Sequence, residues 1–168
     1  MNTKELILSA IFAAVISIFS VMAIPLGAVS ITLGVFGILI TAVILSPKLS
    51  VVSTAIFILL GIAGLPVFGG MRGGIGVILG PTGGYILSYI PMALIVSAMS
   101  EKKGFFRALS ACLFALILCY CLGTCQYMLI TETPLEESLI VCVYPFVVFD
   151  VIKAVAAVIL GQKIKKRL

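Results

Sequence analysis

Histidine and tryptophan are absent from this 168-residue chain, and only 10% of its residues carry charge. Without histidine a mixed Cys/His metal site is impossible, and the commonest general base at neutral pH is missing. The shortage of charge excludes more. A soluble domain carries roughly 25% charged residues, whereas here 62% of residues are hydrophobic. So few charges cannot build a water-facing surface, and lipid has to be the surrounding solvent. Nothing in the composition sets off a soluble appendage, and residues 1–168 read as a single domain.

Catalytic motifs are missing as well. No Gly-x-x-x-x-Gly-Lys-Ser/Thr cradle for nucleotide phosphates occurs, and Gly74-x-Gly-x-x-x-Gly80 lacks the dinucleotide-binding spacing. One intramembrane carboxylate and no nucleophile–base pair leave an enzyme hard to assemble, and no cofactor is expected. The five cysteines (Cys112, Cys119, Cys121, Cys125, Cys142) are odd in number and sit in apolar runs. Cys121 and Cys125 share a helix face, but two thiolates in hydrocarbon without further ligands would be costly. They read as small apolar filler, not as a metal site. The net charge of +5 does not point to nucleic acid. The basic residues sit between apolar runs, the pattern of loops at an anionic membrane surface, and form no stripe with interleaved aromatics.

What is present is a succession of apolar runs. They predict an all-α integral membrane protein with six transmembrane helices over about 6–24, 29–45, 49–65, 75–99, 108–130 and 139–160. A spanning helix needs about 20 apolar residues for a core near 30 Å, so the second and third are short. The fourth starts in glycine-rich sequence, and its regular helix is expected to begin near Pro81. Pro25 and Gly27 end the first run, Ser46-Pro47 the second, and Glu101 to Gly104 the fourth; Thr131 to Glu137 separates the last two. Lys4 before the first run and Val21-Met22-Ala23 after it resemble a signal peptide, but an apolar stretch of 19 residues exceeds the usual 7–15. A retained helix is expected.

Orientation follows from charge. One side of the six-span arrangement holds Lys4, Lys48, Lys102, Lys103, Arg107, Lys163, Lys165, Lys166 and Arg167; the loops of the other hold Arg72 with Glu132, Glu136 and Glu137. The positive-inside rule places both termini in the cytoplasm.

Polar groups inside this apolar bulk are the candidates for function. Asp150 and Lys153 are the only acid and base within a proposed span, three residues apart and therefore on one helix face. Each charge costs at least ~2.5–3.5 kcal/mol on insertion scales, so such a pair faces a bundle interior, a partner or a wet cavity. Either the two neutralise each other as packing glue, or they anchor a polar solute. A dry, filled bundle around them would oppose the second reading. Ten of the sixteen glycines lie between Gly61 and Gly84. Around Arg72, the stretch from Gly64 to Gly74 argues against regular helix. It reads either as an ordinary outer loop or as a glycine-rich outer or re-entrant segment between helices 3 and 4, capping a cavity with Arg72 aimed at an anion. Gly80-Pro-Thr-Gly-Gly-Tyr85 exposes backbone N–H groups at a helix start. Ala10-x-x-x-Ala14, overlapping Ser9-x-x-x-Ala13, is a small-residue face that allows close helix approach.

These stretches together resemble the BioY family, the biotin-specific substrate-binding (S) components of energy-coupling factor (ECF) transporters. The matching segments are Gly64-Leu-Pro-Val-Phe68, the glycine cluster ending at Gly74, Leu79-Gly-Pro-Thr-Gly-Gly-Tyr85, and Pro145-Phe146 followed by Asp150-x-x-Lys153-Ala154. Ser30-Ile-Thr-Leu33 and Ser46-Pro47-Lys48 are similar to further family stretches. The chain departs from the pattern at Val148-Phe149, at Ile86, and around Arg72, where an asparagine is frequent. The resemblance implies six helices with cytoplasmic ends, a biotin pocket near the outer surface, and docking through Ala10 and Ala14 onto a transmembrane coupling protein with two ATPases. It implies that Asp150 accepts from a ureido N–H of biotin. Lys153 and Arg72 compete for the ureido carbonyl and the carboxylate, Tyr85 and Phe68 cover the rings, and Gly73, Gly74 and Thr82 contribute backbone. The rival readings are an S component for another vitamin, a small membrane enzyme using Asp150 and Lys153, and a structural subunit.

Overall fold

The computed structural model describes residues 2–24, 31–101 and 104–167. Pro25, Gly27, Ser30, Lys102 and Lys103, on which span breaks, a family stretch and part of the charge count rest, lie outside them. The described residues form α1 (Thr3–Val21), β1 (Ala23–Ile24), β2 (Ile31–Thr32), α2 (Gly34–Ile44), α3 (Pro47–Ile62), α4 (Ile75–Leu79), α5 (Gly83–Ser100), α6 (Phe105–Thr131), α7 (Leu135–Cys142) and α8 (Tyr144–Lys165). The architecture is all-helical, apart from a two-stranded antiparallel ribbon in which Ala23 pairs Thr32.

By length and apolar composition α1, α5, α6 and α8 can cross a membrane, while α2 and α3 are apolar but have 11 and 16 residues. Local chemistry sets the ends. Asn2 and Glu5 form a reciprocal capping box at the start of α1. Pro47 occupies the first turn of α3, where its missing N–H would have no partner anyway. The fourth apolar run is two helices, α4 and α5, parted at Gly80-Pro-Thr82; the regular helix begins at Gly83, beside the expected Pro81. The sixth run is also divided. Proline at the start of α8 has no N–H to donate to a preceding turn, so α7 ends at Cys142 and α8 starts at Tyr144. The second run loses its first part to the ribbon, because α2 begins only at Gly34.

Helix α2 is the axis of the bundle. Gly34 and every residue from Gly37 to Ile44 are buried, and α1, α5 and α8 pack around it. At about 1.5 Å per residue it is roughly 16 Å long, about half a bilayer core. Its C-terminal end is tied in by Lys165, whose Nζ donates to Val43 O at 3.2 Å and Ser100 O at 3.3 Å. Gln162 donates to Gly104 O at 3.2 Å, just ahead of α6. The basic residues Lys48, Arg107, Lys163, Lys166 and Arg167 are exposed at this end. At the other end α2 stops short, and the space beyond its N-terminus is open.

Candidate functional site

That space is a chamber of about 90 Å³, ample for several waters when roughly 10–15 Å³ on the same measure holds one. Its wall draws on the end of α1 (Ser20), the ribbon (Thr32), the start of α2 (Val35), the irregular segment before α4 (Phe68, Gly69, Arg72), and helices α5 to α8. Residues from α1, the ribbon, α2, the irregular segment and α5 to α8 meet here, beyond the N-terminal end of the short central helix.

Asp150 and Lys153 line this wall from α8 and are 3% and 9% exposed. The i, i+3 spacing puts them on one face, and Lys153 Nζ lies 2.8 Å from Asp150 Oδ1. The pair does close on itself, but beside a chamber and not in filled packing. It is also not self-sufficient. Lys153 Nζ donates a second hydrogen bond to the backbone carbonyl of Thr32 at 2.7 Å, joining α8 to the ribbon. Tyr120 of α6 donates its hydroxyl to Asp150 Oδ2 at 2.7 Å. Both carboxylate oxygens thus carry a directed donor, which holds the charged form in one orientation.

The aromatic lining is seated with equal care. Phe68 folds from the irregular segment back into the bundle, where it is 1% exposed and meets Phe57 edge-to-face at 5.6 Å. Its ring rests on Gly61 of α3, where a Cβ would fall 2.0 Å from Cζ. Tyr85 lies on Gly123 of α6 in the same way, a Cβ there falling 2.2 Å from its ring, and its hydroxyl is 2.9 Å from Thr124 Oγ1. Gln126 Nε2 donates to both Ile78 O and Gly80 O at 2.8 Å, fixing the α4–α5 corner that carries Thr82 to the wall. Tyr89, stacked on Phe57 at 6.5 Å, completes the aromatic side.

Of the residues expected from sequence, Asp150, Lys153, Arg72, Tyr85, Phe68 and Thr82 line the chamber together. Gly73 and Gly74 do not. Gly73 is pressed against the backbone, with a Cβ position 2.3 Å from Leu65 O, and Gly74 at φ +94° starts α4. Gly69 reaches the wall instead. Ala10 and Ala14 lie on the exposed face of α1, whereas Ser9 and Ala13 are buried against the bundle. Tyr120 is the main omission. A tyrosine in an apolar span signals a buried polar contact, but its partner is thirty residues away.

Three comparisons bear on this arrangement. The family model described as the BioY family matches residues 1–168. The chain belongs to the BioY family. It is 36% identical over 165 residues to a probable biotin transporter BioY of Pyrococcus horikoshii, covering 98% of each chain. It is also 36% identical over 164 residues to the biotin transporter BioY of Thermotoga maritima, covering 97% of this chain and 96% of that one. Its fold is similar, with a TM-score of 0.89 and 29% identity over 99% of this chain and 95% of the other, to the crystal structure of the S-component for biotin from an ECF-type ABC transporter. The family is one of membrane transporters and not of enzymes. The apolar helices suit a membrane protein.

Proposed function

We propose that the chain is a biotin-binding S component of an ECF transporter, which takes biotin from the outer face of the cell membrane and delivers it to the cytoplasm. The observation that carries this reading is the Asp150–Lys153 pair, braced by Tyr120 at the wall of a chamber. Two charges are kept in an apolar bundle where a polar guest can use them. The names of the relatives supply the guest. The ureido ring of biotin has N–H donors for Asp150 and a carbonyl acceptor for a cation, and its apolar rings suit Phe68 and Tyr85.

In this reading the whole chain is one transmembrane substrate-binding domain. Six helices cross, with α2 and α3 as short spans and α4 and α7 as turns of the outer rim. The basic end belongs in the cytoplasm by the positive-inside rule, so both termini are cytoplasmic and the chamber opens outward. The exposed Ala10 and Ala14 form the docking face for the coupling protein, which brings two ATPases.

Calorimetric titration of the detergent-purified chain with a panel of vitamins tests the proposal. Saturable, stoichiometric binding of biotin alone is expected. Preference for another vitamin would reassign the substrate, and no saturable binding would leave the ion pair as packing glue and overturn the carrier reading.

A further inference from the structure

Arg72 is the unmatched charge of the chamber. Of the ionised side chains on the wall, Asp150 and Lys153 neutralise each other, and Arg72 leaves a surplus of one positive charge. Among the described residues Asp150–Lys153 is the only salt bridge, so no carboxylate answers Arg72. Its Nε donates to Gly69 O at 3.0 Å within its own turn. The two terminal nitrogens of the fork have no hydrogen-bond partner among the described residues.

The turn that carries Arg72 is constrained. Phe68 and Arg72 exchange both backbone hydrogen bonds, at 2.9 and 3.2 Å. Between them Gly70 at φ +72° and Met71 at φ +58° are left-handed, a conformation that costs a non-glycine residue energy and persists only where the surroundings enforce it. The same bridge buries the Phe68 ring and leaves Arg72 exposed at the chamber's rim.

We propose that Arg72 reads the free carboxylate of the ligand, so that the chain selects free biotin over biotin whose carboxyl group is amide-linked. This rests on the biotin reading above and adds the form of biotin that is accepted. Lys153 is the poorer partner for that carboxylate. It already donates to Asp150 and to Thr32 O, and an anion brought to it would meet the charge of Asp150. Lys153 is thus left to the ureido carbonyl, and the tail carboxylate goes to the guanidinium fork, whose planar donors match it. The bound anion brings the chamber to electrical neutrality.

The test is titration of the purified full chain with biotin and with its primary carboxamide, which has the same shape but no charge. Wild type should bind the acid about tenfold more tightly, the scale of one charge-assisted hydrogen bond. That preference should shrink with added salt, because Arg72 is exposed. Arg72→Gln should remove the preference, weakening the acid far more than the carboxamide. Equal affinity of wild type for both ligands, a preference insensitive to salt, or a preference retained in Arg72→Gln would overturn the inference while the biotin reading stands. Failure of wild type to bind either ligand would sink the biotin reading and this inference with it.

Discussion

Tyr120 of α6 donates its hydroxyl to Asp150 of α8 across 2.7 Å, on the carboxylate oxygen that Lys153 leaves free. This contact joins two helices at the chamber wall and sets the direction in which the carboxylate faces. Tyr120→Phe keeps the ring and removes the donor. A buried charged acceptor that loses its partner costs about 1–3 kcal/mol. Biotin affinity should fall roughly tenfold by calorimetry, with a modest drop in melting temperature. Wild-type affinity in the variant would mean that the orientation of Asp150 is set without Tyr120.

The ion pair can be dissected by a double-mutant cycle. Asp150→Ala or Lys153→Ala alone leaves one uncompensated buried charge, which costs about 3–5 kcal/mol. The combined Asp150→Ala/Lys153→Ala chain removes both charges and should recover much of that stability. Biotin binding should be absent from all three. Thermal melting in detergent and titration separate the two effects, and binding by the stable double variant would refute a role for the pair in recognition.

Gly61→Ala probes the seat of Phe68. The added methyl would fall 2.0 Å from the ring, so the ring has to leave its edge-to-face contact with Phe57. Overpacking of this kind costs about 1–3 kcal/mol. A lower melting temperature and weaker biotin binding are expected together, since the displaced ring lines the chamber. An unchanged melting curve would show that the segment carrying Phe68 shifts freely.

Ala10 and Ala14 are exposed on α1, so enlarging them disturbs no internal packing. Ala14→Trp should leave melting temperature and biotin affinity unchanged in the isolated chain. Uptake of biotin by cells that contain the coupling protein and its ATPases should fall severalfold. Normal uptake would remove this face from the docking surface.

Much of this protein follows from its sequence alone, for local reasons. The scarcity of charge made lipid the solvent. Ser46-Pro47 marked the break after α2, and the glycine stretch around Arg72 marked irregular backbone. The spacing of Asp150 and Lys153 put both on one helix face, which α8 realises as a 2.8 Å ion pair. Tertiary structure alone decided the rest. In a bundle surrounded by lipid, both the inner and the outer face of a helix are apolar, so hydrophobic periodicity does not say which side is buried. That is why Tyr120, Thr32 and Ser20, dispersed in apolar runs, gave no sign of meeting Asp150 and Lys153 across the chamber. The space left beyond Gly34 depends on which distant residues pack around it. No local propensity records that, because it depends on contacts between residues far apart in the chain.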